Sequence, residues 1–170
     1  MKFIDLTQPF SATTPVFPGD PPLSFEPCAH IEKDGYNDHE ITMKMHVGTH
    51  MDAPLHMIEN GKRMAEIPVD RFMGPGVVVD ARGKAIIDAD LLVNAKISEG
   101  AIMLVATGYD KKYGSDEYFT TCPVVTEVFA AELVKAKVKM LCLDTAGPDQ
   151  PPYPVHKMLL GNDILIIENL

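Results

Sequence analysis

The stretch TEVFAAELVKAKVKMLCL, residues 126–143, runs a helix pattern directly into a strand pattern. Thr126 carries a hydroxyl that accepts from a first-turn N–H, so it reads as an N-cap. Glu127 in the first turn, with Lys135 and Lys137 in the last, complements the helix dipole. Phe129, Ala130, Leu133 and Val134 recur at helical spacing and form one apolar stripe. The spacing predicts a helix over 126–137 whose stripe packs into a core. The apolar run that follows predicts a buried strand over 138–143.

Outward from this unit, the same two patterns alternate. Apolar runs predict buried strands at 76–80, 101–106 and 164–167. Residues 41–46 alternate, with Ile41, Met43 and Met45 on one face and Thr42, Lys44 and His46 on the other, which predicts a period-two strand. Asp88 caps an expected helix running to about Lys96, and a short helix is expected over 156–160. Asn60-Gly61 marks a turn. The first 27 residues hold Pro9, Pro15, Pro18, Pro21, Pro22 and Pro27, which forbid much helix there. That segment is expected to lie extended, with a turn at Pro18-Gly19-Asp20. Mixed strands and helices place the chain in the α/β or α+β class, as a single domain over 1–170 with a central sheet.

At 170 residues, a chain buries roughly 70% of its unfolded surface. Hydrophobic residues at 46% and charged residues at 23% fit a globular protein and exclude a disordered or fibrous one. A formal charge of −9 argues against nucleic acid as a partner, since binding phosphates requires a cationic face. Asp5 interrupts the opening where a signal peptide would be apolar. No apolar run approaches the length of a membrane span. A cytoplasmic protein without membrane partners is expected. Cys28, Cys122 and Cys142 form no C-x-x-C pair and read as small buried residues in a reducing compartment.

Chemistry concentrates in HVGTHMDAPLH, residues 46–56. Three of the six histidines, His46, His50 and His56, fall with Asp52 inside these eleven residues. Imidazole and carboxylate are the ligands of zinc and manganese. His46 and His50 stand four apart, as on a helix face, but Gly48, the β-branched Val47 and Thr49, and Pro54 disfavour a helix. On an extended segment His50 and Asp52, at i and i+2, share a face. Ligands from one short loop leave metal positions open, which marks a catalytic site rather than a structural one. A neutral imidazole beside such a site can pass protons to and from reacting groups. Spacing alone leaves His56 open between that role and a further ligand.

The motif H-x-G-T-H-x-D-A-P-x-H resembles the signature of the bacterial kynurenine formamidase and cyclase family, which also includes isatin hydrolase. The openings FIDLTQPF and PVFPGDPP, then GPGVVVD, ATGYDKKYG, LDTAGPD and PVHKMLLGNDILIIENL, resemble the family in order along nearly the whole chain. Family members continue beyond the last of these segments, whereas this sequence ends at Leu170. The resemblance implies a swivelling β/β/α-type domain, usually a homodimer or homotetramer. It implies that His46, His50 and Asp52 bind one metal, and that Asp52 bridges to a second held by His156 and Glu168. The metal expected is zinc, with manganese as the alternative. His56 is then the catalytic base and acid. Phe17, where the kynurenine formamidases commonly carry tryptophan, stacks on the substrate.

The activity so implied is hydrolysis of a small-molecule amide, either arylformamidase-like within tryptophan catabolism or on a cyclic amide. Two alternatives remain open at this point. One is a lactone hydrolase or cyclase-like enzyme acting on another carbonyl compound. The other is a non-catalytic metal-binding protein of the same fold.

Overall fold

The structure is a computed structural model and describes residues 2–170. The chain forms two compact units, one ending at Gly48 and one beginning at Thr49.

In the first unit the prolines keep the chain out of regular structure until residue 24. A turn forms where expected: the Asp20 N–H donates to the Phe17 carbonyl at 3.0 Å, and Gly19 takes the positive φ of +92° that this turn requires. Lys44 Nζ then ties back to Asp20 at 2.7 Å. Strand β1 (Ser24–Ala29) pairs antiparallel with β2 (Asp38–Thr42) across a single helical turn, α1 (Ile31–Asp34). The strand expected over 41–46 therefore lies earlier. Its ladder ends at the Ser24↔Thr42 pair, because Pro21 and Pro22 have no N–H with which to extend β1. Residues 43–48 follow outside any strand.

The second unit is built on a five-stranded sheet of order β3-β9-β8-β6-β4. Its strands are β3 (His50–Asp52), β4 (Gly76–Asp80), β6 (Ile102–Ala106), β8 (Met140–Leu143) and β9 (Leu165–Glu168). All neighbours are parallel except β3 and β9, which run antiparallel. A two-stranded parallel ribbon pairs β5 (Ile86–Ile87) with β7 (Val124–Val125). Three helices complete the unit: α2 (Glu117–Thr120), α3 (Glu127–Lys135) and α4 (Pro154–Gly161). The mixed α/β class with a mixed central sheet is as the sequence predicts.

Period two divides the sheet's residues between two cores. Met103, Val105, Leu141, Leu143 and Ile166 face α3 and α4, meeting Phe129, Leu133, Val155, Leu159 and Leu160. Their neighbours Met140, Cys142 and Leu165 face the other way, with Met51, Leu104 and Ile167 beside them. β8 is buried along its whole length, as expected of a central parallel strand.

The helix over 126–137 forms with its predicted cap: Thr126 Oγ1 accepts from the Phe129 N–H at 3.1 Å. The same hydroxyl donates to Asp88 Oδ1 at 2.7 Å. Removing both contacts in Thr126→Ala is expected to cost about 1–2 kcal/mol, read as a lower urea midpoint, with Thr126→Ser close to wild type. An unchanged midpoint in Thr126→Ala shows that the cap contributes nothing.

Two expectations are corrected. Asp88 does cap, accepting from the Ala89 N–H at 2.8 Å, but the helix is only a 3₁₀ turn, Ala89–Leu92. Leu91, Leu92, Ala95 and Ile97 all pack on the core, and a continued helix would turn Ile97 away from the other three. Of the three cysteines only Cys142 is buried, and burial pushes its thiol up to about 12. Cys28 is exposed and Cys122 half-buried.

Candidate metal centre

The β3–β9 ladder sets His50 opposite Glu168 and Asp52 opposite Ile166. Residues opposite each other across an antiparallel pair share a face, as do residues two apart on a strand. His50, Asp52 and Glu168 therefore project to one side, and Met51 and Ile167 to the other. The side they share is the one on which α4 packs, since Ile166 meets Leu159 and Leu160 there. The buried stripe of α4 is Val155, His156, Leu159 and Leu160, and it carries His156 onto the same spot. The cluster sits at the C-terminal end of β9, where ligands bind in parallel α/β sheets.

Ligand-type atoms of His50, Asp52 and Glu168 all lie within 4.8 Å of one another. His50 Nε2 is 3.4 Å from Asp52 Oδ1 and 3.5 Å from Glu168 Oε2. His156 Nε2 is 3.1 Å from Glu168 Oε1 and 4.0 Å from Asp52 Oδ2. Asp52 is 1% exposed, and Glu168 and His156 are each 5% exposed.

Burial, joined by the charge of Asp52, raises the Glu168 carboxyl above its ordinary range, against the pull of His156 and His50. Burial lowers His156, but hydrogen bonds to Asp149 and Glu168 outweigh it and lift the imidazole to about 9. Without a metal, a proton on His156 thus sits between carboxylates.

Two buried carboxylates facing two imidazoles, with no thiol, form a nitrogen and oxygen donor set that suits a divalent cation such as zinc or manganese. The backbone leaves room for it. A Cβ on Gly147 would stand 3.0 Å from Glu168 Oε1 and 3.5 Å from His156 Cε1. The residues present fit a metal.

His56 ends the 3₁₀ turn Pro54–His56 and is exposed. Its ring lies edge-on to that of His156, with centroids 6.0 Å apart. The second unit thus brings together His50, Asp52, His56, His156 and Glu168. His46 and Phe17 belong to the first unit, His46 half-buried two residues before its end and Phe17 exposed at the start of its turn. A cavity of about 360 Å³, lined by Lys62, Arg71, Lys137 and Asp163 among others, contains none of these donors. It adjoins the start of β9.

Sequence reasoning missed the supports of the cluster. Asp149 holds His156 Nδ1. Asn169, the residue after Glu168, takes a left-handed φ of +59°. Its N–H donates to the Thr145 carbonyl at 3.0 Å, its side-chain oxygen accepts from the Tyr118 hydroxyl at 2.9 Å, and its carbonyl accepts from Thr49 Oγ1. A polar residue following a buried strand-end glutamate was the one available signal.

A mixed α/β sheet with a buried imidazole–carboxylate cluster at the end of a strand defines a candidate metal protein. Residues 4–150 match the family described as "Putative cyclase", and the chain belongs to that family. It is similar to the kynurenine formamidase of Bacillus mycoides, 27% identical over 173 residues that span 99% of this chain and 82% of the relative. Isatin hydrolase A of Labrenzia aggregata, solved with benzyl benzoate bound, superposes with a TM-score of 0.86 at 26% identity, over 98% of this chain and 79% of that one. A solved structure described as a "Potential Metal-Dependent Hydrolase With Cyclase Activity" gives a TM-score of 0.82 at 28% identity, over 98% and 80%. By these names the relatives are hydrolases. Among the described residues, no helix is long and apolar enough to cross a membrane.

Proposed function

We propose that the chain is a metal-dependent hydrolase of small-molecule amides, arylformamidase-like or acting on a cyclic amide. The observation that carries this reading is the buried set His50, Asp52, His156 and Glu168 with the exposed imidazole of His56 beside it. His46, His50 and Asp52 hold one metal, and Asp52 is shared with a second held by His156 and Glu168. Zinc is the metal proposed, with manganese as the alternative. When bound, the metal supplies Lewis acidity and hydroxide at neutral pH.

His56 takes the proton of the attacking water and delivers it to the departing nitrogen. Its exposure lets it exchange that proton with solvent afterwards. Phe17 stacks on an aromatic substrate. The working protein is taken to be cytoplasmic and, as the family resemblance implies, a homodimer or homotetramer.

The test measures bound metal by elemental analysis and then assays stripped and reloaded protein. The panel is N-formylkynurenine, an N-formyl aryl amine, a cyclic imide and a lactone. Metal-dependent cleavage of a formamide or cyclic amide is expected. Cleavage of the lactone alone moves the substrate class to esters, and metal-loaded protein inert to all four overturns the enzyme reading.

A further inference from the structure

We propose that Asp149 is a positioning residue, which fixes the His156 imidazole so that its Nε2 is presented to the metal centre. The inference rests on the reading of His156 as a metal ligand and adds a residue to it. Asp149 lies in the loop after β8, seven residues before His156, and is 9% exposed. One carboxylate oxygen, Oδ1, meets His156 Nδ1. The other, Oδ2, accepts from the Val155 N–H at 2.6 Å. A single carboxylate thus grips two consecutive residues, the backbone of one and the ring of the next.

The chemistry of an imidazole gives this grip its consequence. In the neutral ring one nitrogen donates and the other accepts. An acidic acceptor at Nδ1 holds the proton there and leaves the lone pair on Nε2. Nε2 is the atom that faces Glu168 Oε1 at 3.1 Å and Asp52 Oδ2 at 4.0 Å. The second contact fixes the ring relative to the helix. The N-cap of α4, Tyr153, has a left-handed φ of 62° and gives no side-chain cap, so Asp149 satisfies a first-turn N–H from outside the helix. The ring orientation is therefore set by the loop and does not depend on a metal being present.

Asp149→Asn separates positioning from plain helix capping. An asparagine has one acceptor oxygen, and directing it to the Nδ1–H of His156 leaves the Val155 N–H without its acceptor. Zinc binding is measured on the full chain by competition with a chromophoric chelator. The binding at issue is the part lost in His156→Ala. The ring is followed by ¹⁵N chemical shifts of labelled histidine in metal-free protein through a pH titration, the tautomer being read where the ring is neutral. Asp149→Ala is expected to weaken that binding about 10–100-fold and to mix the His156 tautomers. Asp149→Asn is expected to lose less than about tenfold, the low end of that range, and to keep the Nδ1–H signature. If Asp149→Ala does not fold, the comparison of Asp149→Asn with wild type decides.

Zinc affinity unchanged in Asp149→Ala overturns the proposal. So does an Asp149→Asn protein that loses affinity tenfold while its tautomer stays as in wild type. Wild-type protein that binds no zinc, or a His156→Ala protein that binds it fully, refutes the metal reading instead.

Discussion

Asp52→Asn is expected to abolish metal-dependent turnover while raising the melting temperature of the metal-free protein. Asp52 stands between the two halves of the donor set, facing His50 at 3.4 Å and His156 at 4.0 Å. Replacing its charge by an amide of the same shape leaves no cavity but removes the anionic ligand shared by both proposed metals. Lewis-acid stabilisation is worth several kcal/mol, so the loss in turnover is about 10³-fold or more. In the metal-free protein the sign reverses. Asp52 and Glu168 are both buried, and the charge of Asp52 pushes the Glu168 carboxyl up. Removing the Asp52 charge relieves about 3–4 kcal/mol of repulsion from Glu168, whose ligand atom lies within 4.8 Å, and forfeits a similar attraction to the His156 imidazole at 4.0 Å, both at an effective dielectric near 20. The desolvation cost of a buried carboxylate, lifted by the neutral amide, then decides the sign. Thermal scans with chelator and with zinc, run on both proteins, separate the effects. Wild type gains stability from zinc and the variant does not. A variant that keeps turnover and metal shows that Asp52 is not a ligand.

His56→Ala is expected to lower turnover about 10²–10⁴-fold and to leave metal content and stability near wild type. His56 is exposed, at the end of its 3₁₀ turn, so its removal opens no core. Its ring flanks His156, and a ring nitrogen lies within 4.8 Å of an Asp52 carboxylate oxygen. Its exposure suits a group that exchanges protons with solvent. Elemental analysis beside kinetics decides the matter: if the metal leaves with the imidazole, His56 is a ligand and its proposed role is wrong.

The features legible in the sequence were those whose causes are local. Thr126, the dipole charges and the 129–134 stripe lie within one helix, and that helix forms with its cap. The apolar runs at 101–106, 138–143 and 164–167 became the buried strands β6, β8 and β9, whereas the run at 76–80, expected to be buried, became the edge strand β4 with only Val79 buried. Where a distant partner decides, local reading fell short. The strand expected over 41–46 shifted because β1 stops at its prolines. The turn after Asp88 unwound because Ile97 shares a core with Leu91. Ligand residue types crowded into HVGTHMDAPLH made half of the candidate site visible. His156 and Glu168 were named only through resemblance, since their approach depends on pairing His50 with Glu168 across more than a hundred residues. Asp149 had no local signature at all, because its role exists only once the loop has folded back on α4.

The pairing of β3 with β9 also bears on how such a protein can vary over evolutionary time. His50, Asp52 and Glu168 are phased by a ladder of three residue pairs. A change of chain length inside either strand would turn that strand's donors away from those of the other. Changes of length in the connecting loops leave that phase untouched. Descent can therefore remodel the walls that choose a substrate, lengthening one loop and shortening another, while the reactive centre is inherited intact.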